Sequence, residues 1–132
     1  MNSPPALGRV FVVDDEVIIA QTLATILTRK GFSARPFSNP EHALQAALTD
    51  PPDLLISDVV MPQLSGMELA IRMTASVPGC RVLLFSAQAN TANLLEQAHS
   101  LGHNFHLVAK PIHPADLLLQ IGKQNAQWMV SP

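Results

Sequence analysis

The chain has 132 residues, 48% of them hydrophobic and only 14% charged, with a formal net charge of -2. That length suits one domain, and the apolar content excludes a disordered chain. With no basic excess, binding to nucleic acid through its phosphates is disfavoured. A lone cysteine, Cys80, makes neither an internal disulfide nor a multi-cysteine zinc site. The start lacks a basic region ahead of a long apolar run, so no signal peptide is expected. Apolar runs fall short of the roughly 18 residues of a membrane span. The expectation is a soluble cytoplasmic domain over residues 9–124, with flexible tails at 1–8 and 125–132.

The first strand is expected at Val10 to Val13, a continuous apolar run of the kind buried on both faces of a parallel sheet. A helix follows Glu16, with Ile19, Leu23, Ile26 and Leu27 on one face and Gly31 as its stop. Ser33 to Phe37 reads as a second strand. Ser38-Asn39-Pro40-Glu41 has the pattern of a capping box with an early proline, ahead of Ala43, Leu44, Ala47 and Leu48. Leu54-Leu55-Ile56 is the third strand. Ser65-Gly66-Met67-Glu68 is a second capping-box pattern, opening a helix that runs to about Ser76. Val82 to Phe85 is the fourth strand, Thr91 to Leu101 a fourth helix stopped by Gly102, and Phe105 to Ala109 the fifth strand. A fifth helix starts at Pro114 and carries Leu117, Leu118 and Ile121. Strict alternation of strands and helices predicts an α/β fold, a parallel sheet covered by helices on both faces.

Each apolar strand delivers polar residues at its carboxyl end. Asp14-Asp15-Glu16 follows the first, Asp58 the third, Ser86-Ala87 the fourth and Lys110-Pro111 the fifth. Ligand sites of open α/β sheets lie beyond those ends. Three carboxylates placed there repel one another unless a cation sits among them, and an all-oxygen set suits Mg²⁺. A lysine and a hydroxyl beside them can hold phosphoryl oxygens, and an outward carboxylate can act as a nucleophile. The residue types therefore point to Mg²⁺-assisted phosphoryl transfer onto an aspartate.

This set resembles the receiver domain of two-component response regulators over about Arg9 to Lys123. The matching motifs are Asp14-Asp15, Asp58-Val59-Val60-Met61-Pro62 with Gly66 four residues on, Ser86-Ala87 and Lys110-Pro111. Any one alone is weak; all four in order are specific. The resemblance implies a three-layer α-β-α sandwich around a five-stranded parallel sheet in flavodoxin-like order 2-1-3-4-5. It makes Asp58 the phosphoacceptor. Asp15, Asp58 and the Val60 carbonyl become direct Mg²⁺ ligands, with Asp14 acting mostly through a bound water. Lys110 stabilises the phosphoryl oxygens, Ser86 is the switch hydroxyl, and Ala87 leaves room for the incoming group. The donor is a phosphohistidine on a sensor histidine kinase or a histidine phosphotransfer protein. The output is a switched surface for a downstream protein target, with no direct nucleic-acid or membrane binding and with homodimerisation on phosphorylation a family option. Such a domain is a signalling switch and not an enzyme on other substrates.

Two departures stand out. The family's aromatic switch position, three before the lysine, holds Leu107, whereas counting forward from Gly102 lands on His106. Val60, two after Asp58, is apolar and cannot orient a hydrolytic water, which implies a slow reset. Plainer readings exist for each residue: Asp14-Asp15 as a helix cap, Asp58 as a turn former, Lys110 and Ser86 as surface groups. His42, His99, His103 and His113 read as surface residues, Met61, Met67 and Met73 as core filler, and Cys80 as inert. Trp128 in the tail reads as docking on the last helix, with a partner contact as the alternative. A stand-alone receiver is expected. The alternatives are a receiver fragment of a larger regulator with a DNA-binding or enzymatic output, a degenerate receiver that signals unphosphorylated, and a small Mg²⁺-dependent aspartyl-phosphate phosphatase.

Overall fold

The computed structural model describes residues 8–86, 96, 99, 100, 102, 105–109, 113 and 115–121. In chain order the named elements are β1 (Arg9–Val13), α1 (Val17–Arg29), β2 (Ser33–Phe37), α2 (Pro40–Ala47), β3 (Leu54–Asp58), α3 (Gly66–Ser76), β4 (Arg81–Ser86) and β5 (His106–Ala109). Residues 115–121 are helical, as are 96, 99 and 100. The five strands form one sheet in the order β2-β1-β3-β4-β5, parallel at every pairing. The expected α-β-α sandwich and strand order are therefore present. The rest of the expected fourth helix, residues 1–7 of the expected N-terminal tail, and the C-terminal tail with Trp128 lie outside the described residues.

Alternation along the strands sorts the core into two layers. Phe11, Val13, Leu55, Val82 and Leu84 share one cluster with Ala43 and Ala47 of α2 and Leu69, Ala70 and Met73 of α3. Val10, Val12, Leu54, Ile56, Leu83 and Phe85 share the other with Ala20, Leu23, Ala24 and Leu27 of α1 and with Leu117 and Ile121. The central strands are buried on both sides, which is why their sequences are continuous apolar runs and not alternating ones.

The helix ends follow local chemistry. At the end of α1 the Phe32 N–H donates to the Leu27 carbonyl at 3.1 Å and the Gly31 N–H to that of Thr28 at 3.1 Å. Gly31 has φ of 107°, the left-handed conformation that this C-terminal motif requires. The buried stripe of α1 is Ala20, Leu23, Ala24 and Leu27. Ile19 and Ile26, expected on that face, are only half-buried; the two alanines hold its centre, where small side chains let the helix approach the sheet.

The expected Ser38–Glu41 capping box is replaced by a shorter device. Asn39 is the N-cap of α2, and its side-chain oxygen accepts from the Glu41 N–H at 2.9 Å, with Pro40 opening the helix. Leu48, expected on the apolar face, follows the last turn and is exposed. In α3 the expected N-terminus holds: the Ser65 hydroxyl oxygen accepts from the Glu68 N–H at 3.1 Å.

Candidate functional site

The parallel arrangement carries every strand's last residue to one edge. Val13 pairs with Ser57, Asp58 with Phe85, and Ser86 with Ala109. Asp14 and Asp15 follow β1, Asp58 closes β3, and Ser86 closes β4. Asp14 is fully buried, Asp58 is 8% exposed, and Asp15 is exposed. One carboxylate oxygen from each of the three can be chosen so that all lie within 4.8 Å of one another. An all-carboxylate set of this spread fits a hard divalent cation, which takes oxygen ligands.

Asp14 and Asp58 sit in backbone held by hydrogen bonds at their strand ends. The Asp14 N–H donates to the Phe37 carbonyl at 3.1 Å, tying the end of β1 to β2. One Asp14 carboxylate oxygen accepts from the Glu16 N–H at 2.9 Å. The plain capping reading of Asp14-Asp15 is thus only partly met: Asp14 closes a short turn, while the N-cap of α1 is Glu16, with no side-chain cap bond.

Beyond Asp58 the chain is pinned at three places. The Val59 N–H donates to the Phe85 carbonyl at 3.0 Å, and the Gly66 N–H to the Val59 carbonyl at 2.8 Å. The buried Ser57 hydroxyl donates to the Asp58 carbonyl at 2.8 Å. Gly66 packs its Cα against the same peptide. A methyl group there would overlap the Asp58 carbonyl oxygen and come to 2.8 Å from its carbon. The glycine four residues past Met61-Pro62 is thus dictated by close approach.

The remaining candidates fall as follows. Ser86 is 6% exposed at the end of β4, and Val60 is 50% exposed beside the acid cluster. Leu107, half-buried, packs with Phe105 against the cluster under α2 and α3, whereas His106 is exposed. The alternation of β5 thus points Leu107 inward and His106 outward. Ala87, Lys110, Pro111 and His103 lie outside the described residues. His42, His99 and His113 are exposed, and Met61, Met67 and Met73 are buried, as expected. Burial pushes the Cys80 thiol up to about 12, with Asp53 adding to the rise and a hydrogen bond to the Leu55 backbone opposing it.

The response regulator receiver domain model matches residues 10–122. The chain belongs to that family. The receiver is 31% identical over 112 residues to the transcriptional regulatory protein CreB of Escherichia coli, covering 85% of this chain and 48% of CreB. It is 28% identical over 117 residues to the response regulator receiver protein CpdR of Brucella abortus, covering 89% and 96%. Some curated relatives are therefore about twice its length, and CpdR is nearly the same length. Among solved structures it resembles a receiver domain protein of Clostridium thermocellum, with a TM-score of 0.81, 25% identity and coverage of 94% and 98%. It also resembles the chemotaxis protein CheY4 of Vibrio cholerae, with a TM-score of 0.77, 26% identity and coverage of 89% and 98%. Receiver domains of this family are signalling switches that bind Mg²⁺ at an acidic pocket, and this chain carries a cluster of three acids, Asp14, Asp15 and Asp58, at the carboxyl edge of its sheet. Among the described residues no helix is long and apolar enough to cross a membrane.

No role for Ser57 is expected from the sequence alone. A hydroxyl in an otherwise apolar strand, directly before an acid, was the available signal.

Proposed function

We propose that this receiver accepts a phosphoryl group on Asp58 from a phosphohistidine of a sensor kinase or phosphotransfer protein. The observation that carries this is the convergence of three carboxylates from two strand ends on one point. Asp15, Asp58 and the Val60 carbonyl would hold Mg²⁺ directly, with Asp14 acting mostly through water. Bound there, the ion supplies positive charge against the phosphoryl oxygens. An Asp58 carboxylate oxygen attacks phosphorus in line. The new P–O bond forms as the P–N bond breaks, and its electron pair leaves with the imidazole nitrogen. Lys110 pairs with the phosphoryl oxygens. Ser86 and Ala87 belong to the switch that responds to the new charge of roughly -1.5 to -2. Leu107 would fill the inward switch position and His106 would remain at the surface. Water attack on the acyl phosphate returns the carboxylate and releases phosphate.

The domain would span residues 9–124 and act in the cytoplasm through a downstream protein, without contacting nucleic acid or membrane itself. A stand-alone receiver is favoured by the near-full match to CpdR. The alternative, one part of a regulator with an output domain, is favoured by the half-length match to CreB. Homodimerisation on phosphorylation is a further expectation.

The test is incubation with acetyl phosphate and Mg²⁺, followed by intact-mass measurement. Wild type should gain one phosphoryl group and Asp58→Asn none; an unmodified wild type overturns the reading. Half-exposed, apolar Val60 should make the acyl phosphate long-lived. Val60→Asn should shorten its half-life several-fold, and an unchanged half-life removes the slow-reset assignment.

A further inference from the structure

Ser57 interrupts an apolar face of β3 with a hydroxyl. Its neighbours on that side of β3, Leu55 and Val59, belong to the cluster under α2 and α3, and the hydroxyl itself is completely buried. A buried hydroxyl is costly unless it is hydrogen-bonded. This one gives its proton to the carbonyl of the very next residue, Asp58, at 2.8 Å. The peptide it touches is closely packed. Gly66 crowds the same carbonyl, placed so that a methyl group there would come to 3.0 Å from the Ser57 hydroxyl and overlap the Asp58 oxygen. The Val59 N–H and carbonyl are fixed in turn by Phe85 and Gly66. Ser57 therefore adds one of several bonds that fix the backbone that bears Asp58 and leads into Val60.

We propose that Ser57 is a positioning residue for the acid cluster: by holding the Asp58 carbonyl it keeps the 58–60 backbone in one conformation, on which divalent-cation binding depends. The proposal rests on reading Asp14, Asp15 and Asp58 as a cation site. Second-layer hydrogen bonds of this kind are worth about 10- to 100-fold in metal affinity.

Two variants of the full chain separate the hydrogen bond from packing. Ser57→Ala removes the donor and leaves a small hole; Ser57→Cys fills the volume with a weak donor. Mg²⁺ is titrated calorimetrically into each, and amide hydrogen exchange is followed at Val59 and Gly66. Both variants should raise the Mg²⁺ Kd roughly tenfold and speed exchange at both amides. A wild-type Kd in Ser57→Ala overturns the proposal. So does a Kd restored in Ser57→Cys, which would make the effect one of packing. If wild type itself binds no Mg²⁺, the cation reading falls and this proposal with it. That result is distinct from a wild type that binds while the variants bind equally well.

Discussion

The two ends of the sheet are built in opposite ways. At the amino ends of the strands the polar residues Arg9, Ser33, Asp53 and Arg81 are exposed. Their backbone is satisfied by bonds between neighbouring strand starts, as where the Arg9 N–H donates to the Asp53 carboxylate at 2.8 Å and the Arg81 N–H to the Asp53 carbonyl at 2.9 Å. At the carboxyl ends lie Asp14, Ser57, Asp58 and Ser86, and these four are the complete set of buried polar or charged residues among those described. Burying polar groups costs stability unless partners are supplied, so a fold selected for stability alone would resemble the amino end on both sides. The carboxyl end instead concentrates like charge, which one cation or one phosphoryl group then senses strongly.

That contrast is most severely tested where backbone and acid meet. Gly66→Ala forces its methyl group into the Asp58 carbonyl and should destabilise the fold by about 3 kcal/mol in urea unfolding, a typical overpacking cost. A variant as stable as wild type would mean that α3 can back away from β3. The next effect has the opposite sign. Asp14→Asn keeps an oxygen for the Glu16 N–H but removes one of the clustered charges. Without Mg²⁺ it should stabilise the protein by roughly 1–2 kcal/mol, and saturating Mg²⁺ should cancel that gain, because the variant has less negative charge with which to hold the cation. Equal stability of the two proteins in chelator would show that charge is not concentrated as described.

The smallest effect is expected at Cys80, buried next to Arg81 at the amino end of β4. Its thiol is raised from 9.0 to about 12, chiefly by burial. The unfolded thiol ionises first, so the neutral folded thiol contributes stability below pH 9 that is lost as pH rises towards 12. By pH 10 the loss should be about 1 kcal/mol. Cys80→Ala should flatten this alkaline limb without changing the Asp58 chemistry at the far end of the sheet. A native thiol that alkylates at pH 8 as fast as a free peptide would contradict its burial.

The elements of this fold were legible because their signals are local. Continuous apolar runs marked β1, β3 and β4, and Gly31 and Ser65 marked helix ends through bonds made within a few residues. Asn39 displaced Ser38 as a cap because a side chain two residues from the N–H it bonds competes with one three away, and the pattern of residues does not rank them. The buried stripe of α1 shifted to Ala20 and Ala24 because closeness to the sheet, and not hydrophobicity alone, selects what is buried. The candidate acids could be nominated because each follows a strand.

What the sequence by itself determined is therefore the alternation of elements and the identity of the residues at each strand's carboxyl end. Only the tertiary structure decided that Asp14 is buried while Asp15 is exposed, that Leu107 turns inward while His106 turns out, and that Ser57 and Gly66 both press on the Asp58 carbonyl. The physical reason is separation along the chain. Asp14 and Asp58 are 44 positions apart, and their distance is set by parallel pairing and helix packing, which no local pattern encodes.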